Sequence, residues 1–328
     1  MNNNGISVVI PNYNGRYLLD EIIPSLMTAL QNCGLPHEIF IVDDFSTDDS
    51  VQHIKNQYPF IKLLQNENNR GFSPTINKGI FAAQYDYILL LNSDVKLSQE
   101  YFKTLLPYFE RADTFGVMGR IIGWDDDKIQ DGAKYPSFHG AKIKTTGNYV
   151  LQEPGKNDWL YTMYLSGANA LVSRQKILEL KGFNEIFAPF YVEDYELSLR
   201  AWRLGWKCYY DHHAVCRHKE SVSIKTKSKK DFINTIYYRN KMFLHAIHLD
   251  GVKLFAWYLQ LIPEAIIRLF TLRFYYFKSL QLFAQDLHKV KKAKDDLQLL
   301  AGKRQLLSVK KLADIILQSI AGKEIIRF

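Results

Sequence analysis

The first half of the chain alternates short apolar runs with segments whose apolar residues recur at helical spacing. The runs predict strands over residues 6–10, 38–42, 61–65 and 87–91. The periodic segments predict helices over residues 18–30, 48–58 and 71–83. Strands that alternate with helices of about a dozen residues are typical of a parallel sheet with helices on both faces. We therefore predict a three-layer α/β/α domain.

The pattern changes twice further along the chain. Between residues 111 and 159, Gly, Asp and Lys interrupt it, which predicts extended segments and loops. A strand is predicted over residues 166–173, and a helix over 192–204 that ends at Gly205. Long helical patterns then continue from about residue 221 to residue 328. The chain is thus predicted to hold an α/β domain over residues 1–222 and a helical region over residues 223–328.

Polar side chains follow the predicted strands at their carboxyl ends, which is where parallel sheets bind ligands. Asn12 follows the first strand, Asp43 and Asp44 the second, and the segment 92–94 the fourth. A carboxylate there can accept a hydrogen bond from a pyrimidine N–H group or a ribose hydroxyl. It can also hold Mg²⁺ or Mn²⁺ together with phosphate oxygens. A turn followed by a helix N-cap explains residues 46–49 but not the two adjacent acids before them, and a strand-ending turn is the alternative for residues 92–94.

The segments together resemble the family 2 glycosyltransferases of the GT-A fold, and among them rhamnosyltransferase-like members that build bacterial surface polysaccharides. The resemblance covers roughly residues 5–220 and rests on the order and spacing of several motifs. These are PNYN at 11–14, VDD at 42–44, NRGF at 69–72, NSD at 92–94, GANAL at 167–171, GFNE at 182–185 and FYVEDYELSLR at 190–200.

This resemblance implies a GT-A nucleotide-sugar-binding domain and an inverting, non-processive transfer of one sugar. The implied donor is a UDP- or dTDP-sugar, and the implied acceptor is a hydroxyl of a growing cell-surface glycan or a lipid-linked intermediate. Donor contacts are implied for eight residues: Pro11, Tyr13, Asp43, Asp44, Asn69, Gly71, Asn92 and Ser93.

The resemblance also implies Mg²⁺ or Mn²⁺ as cofactor, with Asp94 as a ligand and His218 as a second ligand. The chain has Asn-Ser-Asp at 92–94 where many relatives carry Asp-x-Asp. Asp94 is therefore the one strong ligand candidate, and we expect modest metal affinity. An isolated histidine such as His218 is also consistent with a purely structural role.

The Glu193–Asp194 pair resembles the catalytic acidic motif of the family, with Asp194 as general base. Leu197, Ala201 and Leu204 follow on one helical face and can anchor this end in the core. A helix N-terminus favours an ionised carboxylate, which can take the acceptor proton during a single displacement. An acidic first turn without catalytic function shows the same local pattern. Downstream, Arg239 either reaches a phosphate or holds its helix in place.

The net charge of +8 modifies this picture, because the excess gathers in two clusters near aromatic residues of the helical region. The clusters are Lys225, Lys227, Lys229 and Lys230, and Lys289, Lys291, Lys292 and Lys294. They favour an anionic membrane surface as partner. Solvated helix ends and loops explain the lysine clusters equally well, and helices packed on the first domain or forming a homodimer are the alternative to membrane attachment. No nucleic-acid-binding motif accompanies the charge, so nucleic acid is not an expected partner.

Three cysteines, no signal-peptide pattern and no convincing apolar span predict a cytoplasmic protein, either soluble or peripheral on the inner face of the membrane. A nicotinamide dehydrogenase is excluded because Gly-x-Gly-x-x-Gly does not follow the first strand. A processive synthase would show several membrane spans. A non-catalytic sugar-nucleotide-binding or scaffold protein remains the alternative, although Asp44, Asp94 and Asp194 are all in place.

Overall fold

The computed structural model describes residues 3–152, 159–219 and 230–328, without the side chain of Thr146. The predicted domain boundary at residue 222 and the basic residues Lys225, Lys227 and Lys229 lie outside the described residues. The described part contains a large mixed sheet, a small sheet and eleven α-helices.

The predicted parallel sheet is confirmed for the first half of the chain, in the strand order β3-β2-β1-β4. These strands are β1 (Ile6–Asn12), β2 (His37–Asp43), β3 (Lys62–Gln65) and β4 (Tyr87–Leu91). The connecting helices are α1 (Arg16–Cys33), α2 (Ser50–Gln57) and α3 (Phe72–Ala82). Along β1, Ile6, Val8 and Ile10 pack in the core on the α1 side, and Val9 packs on the α3 side. This alternation produces the predicted three layers.

The sheet continues beyond β4 with strands of both directions. In order along the chain these are β5 (Val95–Leu97), β6 (Thr114–Gly123), β7 (Ile129–Asp131), β10 (Leu160–Tyr161), β11 (Asn169–Ser173) and β12 (Lys207–His218). β11 lies antiparallel between β4 and β6, and β12 runs parallel to β6. The short helix α4 (Tyr101–Leu105) and a 3₁₀ turn (Leu106–Glu110) precede β6.

The interrupted segment 111–159 is more regular than its sequence predicts. β6 is ten residues long and lies buried inside the sheet. A Cβ atom at Gly116 would lie 2.7 Å from the Leu171 carbonyl oxygen, and one at Gly119 would lie 2.4 Å from that of Ala214. The glycines that break the apolar pattern are therefore needed where neighbouring chain segments approach β6 closely. β8 (Ala133–His139) and β9 (Lys142–Leu151) then form an antiparallel hairpin.

Two helices precede β12 on the α3 side of the sheet, namely α5 (Arg174–Glu179) and α6 (Glu193–Arg203), with a 3₁₀ turn (Glu185–Phe187) between them. Within α6, the buried Glu196 accepts a hydrogen bond from Arg200, whose guanidinium also donates to the Leu180 and Gly182 carbonyls at 2.6 and 2.8 Å. These contacts fix α6 against the segment after α5.

The C-terminal helices pack on the α/β domain through one shared core. They are α7 (Lys230–His248), α8 (Gly251–Phe270), α9 (Tyr275–Gln285), α10 (Leu287–Ala301) and α11 (Val309–Ser319). Phe243 of α7 and Leu312 of α11 lie in the same buried cluster as Phe187 and Val192. The strand β13 (Ile325–Arg327) then pairs with β9. None of the described helices is both long and apolar enough to cross a lipid bilayer.

Candidate active site

Asp43 holds the turn that leaves the second strand. Its Oδ1 accepts a hydrogen bond from the Ser46 amide at 2.9 Å, and its Oδ2 accepts from the Ser46 hydroxyl at 2.5 Å and from Asn12 Nδ2 at 3.0 Å. The side chain is almost completely buried. Asp43 therefore joins the ends of β1 and β2, and its predicted contact with the donor stays a prediction.

Asp44 fixes the segment 66–71 that leads into α3. Its Oδ1 accepts from Asn66 Nδ2 and from the Arg70 amide, both at 2.8 Å, and its Oδ2 accepts from the Gly71 amide at 2.9 Å. Asn69 donates to the Asp44 carbonyl at 3.4 Å. The predicted donor residues Asp44, Asn69 and Gly71 thus form one hydrogen-bonded unit.

Pro11 and Tyr13 lie at the carboxyl end of β1, next to the carboxyl end of β2. Pro11 is the penultimate residue of β1, opposite Val42, and Tyr13 is 37% exposed just beyond the strand. A half-exposed tyrosine ring beside the Asp44 unit can pack against a planar base. The fold therefore brings the predicted donor residues of β1 and β2 to the same edge.

Gly71 connects the Asp44 unit to the segment before α6. Its φ is +83°, and a Cβ atom there would lie 2.5 Å from Pro189 Cα. The next residue, Phe72, donates its amide to the Pro189 carbonyl at 2.8 Å. A residue with a side chain would strain the backbone and collide with Pro189, so the site requires glycine at this position.

The predicted metal ligands Asp94 and His218 lie side by side. Residues 92–94 form the turn between β4 and β5, and β5 pairs antiparallel with the end of β12, so that His218 stands opposite Val95. His218 Nε2 is 3.6 Å from Asp94 Oδ2, and His218 Nδ1 is 2.9 Å from Gln130 Oε1. Within the described residues, Asn92 Oδ1 and Asp94 Oδ1 are buried without a hydrogen-bond partner.

This donor set fits a divalent cation that completes its shell with phosphate and water oxygens. An unpaired carboxylate oxygen and an imidazole nitrogen are suitable ligands. The part of the chain that the structure describes holds no cluster of three or more His, Cys, Asp or Glu side chains suited to a metal. Ser93 lies in the same turn, and its Oγ would be 3.4 Å from a Cβ atom at Gly15.

Glu193 and Asp194 form the first turn of α6, as predicted. Tyr191 and Val192 precede them with positive φ values of 75° and 76°, so the chain turns sharply into the helix. The Tyr195 amide donates to Asp194 Oδ1 at 2.7 Å, and the Gly167 amide also faces this carboxylate. The next residue, Ala168, accepts a hydrogen bond from the Asn92 amide at 3.1 Å. Gly167 therefore contacts the predicted base, Asp194, and Ala168 contacts the turn at residues 92–94, hereafter the metal turn.

Burial alters the acidity of both carboxyl groups. It raises the pKa of Asp194, while hydrogen bonding from the Tyr195 amide and the positive charge of Lys134 oppose that shift. Burial also raises the pKa of Glu193 to about 8, and the negative charge of Asp194 adds to the rise. Asp194 therefore ionises before Glu193, which leaves Glu193 protonated near neutral pH.

The sequence analysis did not identify two residues that lie near Asp194. Lys134 on β8 forms an ion pair with Asp131, and burial lowers its pKa to about 8 while the charge of Asp194 acts in the opposite direction. The Tyr164 ring lies 4.9 Å from Lys134 Nζ and 5.4 Å from the Tyr195 ring. Both residues come from segments without a regular pattern, so only their polar or aromatic character could have indicated them.

Asn240 on α7 holds the turn before α6. Its Nδ2 donates to the carbonyls of Phe187, Phe190 and Tyr191 at 2.6, 3.0 and 2.8 Å. Arg239 donates to the Ala188 carbonyl and to Asn240 Oδ1. Of the two roles predicted for Arg239, the structure therefore supports the one that holds the helix in place.

Comparison with known proteins agrees with this arrangement. The sequence model described as glycosyl transferase family 2 matches residues 7–179, more than half of the chain. The chain belongs to this family. It is 33% identical over 187 residues to glycosyltransferase GlyG of Streptococcus pneumoniae serotype 4, which is 55% of this chain and 58% of GlyG. The match thus spans less than two thirds of the length of that relative.

The match to a second relative spans more of that relative's length. The chain is 25% identical over 247 residues to N-acetylglucosaminyl-diphospho-decaprenol L-rhamnosyltransferase of Mycobacterium tuberculosis, 66% of this chain and 77% of that protein. Among solved structures, GalNAc-T7 with UDP, GalNAc and Mn²⁺ is similar with a TM-score of 0.68 and 16% identity, over 97% of this chain and 57% of that one. The predicted GT-A fold is confirmed.

Proposed function

We propose that this family 2 glycosyltransferase is an inverting, non-processive and metal-dependent enzyme. It moves one sugar from a UDP- or dTDP-sugar to a hydroxyl of a cell-surface glycan or a lipid-linked intermediate. The observation that carries the proposal is the contact of Gly167 with Asp194 and of Ala168 with the metal turn. It brings a buried carboxylate next to a turn that can hold a cation and a diphosphate.

On the donor side, Asp94 and His218 would hold Mg²⁺ or Mn²⁺, whose charge stabilises the departing diphosphate when it is bound. Pro11, Tyr13 and the Asp44 unit would contact the base and ribose, while Asn92 and Ser93 border the phosphates. The similar structure of GalNAc-T7, which was crystallised with UDP and Mn²⁺, supports this proposal.

On the acceptor side, Asp194 would take the hydroxyl proton as that oxygen attacks the anomeric carbon. A group that removes a proton needs a pKa close to the operating pH, and burial shifts the pKa of Asp194 in that direction. One base and one displacement invert the anomeric centre. The Mycobacterium tuberculosis relative, whose name includes a diphospho-decaprenol acceptor, supports a lipid-linked acceptor. We further expect a cytoplasmic location, at the inner face of the membrane.

Calorimetric titration with nucleoside diphosphates and their sugars, with Mn²⁺, with Mg²⁺ and with EDTA, tests the donor site. We expect metal-dependent binding of a uridine or thymidine diphosphate, weakened about tenfold or more by Asp94→Ala because the cation loses a charged ligand. Asp314→Ala removes an exposed carboxylate from α11 and serves as the matched control. If no nucleotide binds, or if Asp94→Ala binds like the wild type, the proposed donor site is wrong.

A further inference from the structure

A cavity of about 410 Å³ lies between the β8–β9 hairpin and the helices α7, α8 and α9. Aromatic side chains form much of its wall, namely Tyr237, Tyr238, Trp257 and Tyr276. None of the residues predicted from the sequence to bind the donor or the metal lines it. The cavity is therefore distinct from the donor edge of the sheet.

The cavity carries an excess of positive charge. Lys142, Lys144, Lys241 and Arg268 line it, against a single carboxylate, that of Glu264. Glu264 is already engaged by Lys142 and by the Tyr276 hydroxyl. Among the described residues, no carboxylate lies within 4.0 Å of the other three cations. Burial lowers the pKa of Lys142, Glu264 opposes this shift, and the charges of Lys144 and Lys241 add to it. Crowded ammonium groups in a partly dry cavity favour an anion.

The cavity opens beside an exposed apolar stripe on α8. The stripe consists of residues spaced three or four positions apart, namely Val252, Phe255, Leu259, Ile262, Ile266 and Phe270. Each of these side chains is at least half exposed. Ile267 both lines the cavity and is 59% exposed, so it joins the cavity to the stripe. The one acid of α8, Glu264, faces the cavity.

The cavity also adjoins the segment that precedes the proposed base. The ring of Tyr237, which lines the cavity, packs edge-on against Tyr191 with centroids 6.1 Å apart. Tyr164 is close enough to both Asp194 and Tyr237 for their charged forms to raise its pKa. Tyr237 and Tyr164 therefore connect the cavity to the surroundings of Asp194.

We propose that this cavity binds the phosphate or diphosphate group of a lipid-linked acceptor, while the apolar chain of that lipid lies along the α8 stripe at the membrane surface. The inference rests on the proposed function and names its acceptor class. Contact between two copies through the stripe is disfavoured, because it would bring two basic cavities of the same sign together.

Titration of the whole protein with farnesyl diphosphate below its micellar concentration, in EDTA, tests the proposal. Inorganic pyrophosphate is the probe without an apolar chain. The variant Lys144→Gln/Lys241→Gln removes two cations, and Lys310→Gln on the exposed face of α11 is the matched control. We expect farnesyl diphosphate to bind, and its affinity to fall about tenfold or more in the double variant only. Ile267→Ser should weaken farnesyl diphosphate severalfold and leave pyrophosphate unchanged.

Three results would overturn the proposal. One is the absence of farnesyl diphosphate binding to the wild type, and another is equal binding to the double variant. The third is a loss of farnesyl diphosphate and pyrophosphate affinity to the same degree with no effect of Ile267→Ser, which would indicate a soluble anion. Donor binding in Mn²⁺, measured on the same samples, separates this failure from a failure of the proposed function. Unchanged melting temperatures exclude misfolding as the cause.

Discussion

Glu193 and Asp194 are adjacent acids with the same chemistry and different surroundings. Asp194 is contacted by two backbone amides and lies near Lys134. Glu193 Oε2 is buried without a hydrogen-bond partner among the described residues, and its pKa is about 8. Asp194 can therefore act as a base, whereas Glu193, one position earlier in α6, keeps its proton.

This difference predicts unequal effects of two amide substitutions at pH 7. Asp194→Asn should lower kcat by roughly 10²–10⁴-fold with donor affinity near the wild type, because it removes the proton acceptor. Glu193→Gln should keep kcat within about tenfold, since Gln resembles the protonated acid. Steady-state kinetics with calorimetry of donor binding measures both. If Asp194→Asn is fully active, or Glu193→Gln is the more damaging change, the assignment of the base is wrong.

The pKa of Glu193 also predicts how stability depends on pH. The folded protein keeps this proton up to about pH 8, whereas an unfolded chain releases it near the ordinary value of 4.5. Between these values the folded state binds more protons, so its stability falls as pH rises. Glu193→Gln should therefore become more stable relative to wild type from pH 5 to pH 8, by up to about 1 kcal/mol per pH unit. Urea unfolding at several pH values measures this gain, and a constant difference would contradict it.

At the scale of elements, the turn before α6 depends on a distant helix. The side-chain amide of Asn240 on α7 donates hydrogen bonds to three carbonyls of this turn, those of residues 187, 190 and 191. Asn240→Ala would leave them unpaired and should cost about 2–4 kcal/mol of unfolding free energy. It should also lower kcat by about tenfold or more, because the first turn of α6 would shift.

Unfolding and kinetic measurements on Asn240→Ala, with donor binding recorded in parallel, test this coupling. Asn56→Ala on the exposed face of α2 is the matched control and should change stability by less than about 0.5 kcal/mol. A loss of stability with unchanged kcat would mean that Asn240 supports the fold without orienting Asp194.

The elements that were predicted well are those with a strong local pattern. The apolar run at 6–10 and the periodic segment at 71–83 agree with β1 and α3 to within a few residues, and the strand ends deliver Asn12, Asp43 and Asp94 to one edge. Extended segments were predicted for 111–159, but the position of β6 was not, because Gly116 and Gly119 are set by contacts with distant segments that local periodicity does not contain. The roles of Lys134 and Asn240 were not predicted because their partners are likewise remote in sequence.

At the scale of the whole molecule, the C-terminal helices complete the core of the α/β domain. Phe243 packs on Phe187 with ring centroids 6.0 Å apart, and β13 adds a third strand to the β8–β9 hairpin. We therefore predict a single unfolding transition for the full chain. A chain that ends at residue 222 would expose Phe187 and the hairpin to water and should lose cooperative unfolding.

Thermal unfolding followed by circular dichroism and tryptophan fluorescence tests this prediction. The two signals should change together in the full chain, since both report one core. A shortened chain that melts cooperatively at the temperature of the full chain would show that residues 1–222 fold independently.

The contact of Gly71 with Pro189 has a consequence for exchanging parts between relatives. Residues 66–71, which we propose contact the donor nucleotide, meet the turn before the proposed general base, and Gly71 lies too close to Pro189 for even a methyl group. A transplanted 66–71 loop with any bulkier residue at position 71 would displace the turn before α6. Under the proposed function, this contact couples donor preference to acceptor activation, and a chimaera designed to accept a new sugar would need both segments from the same parent.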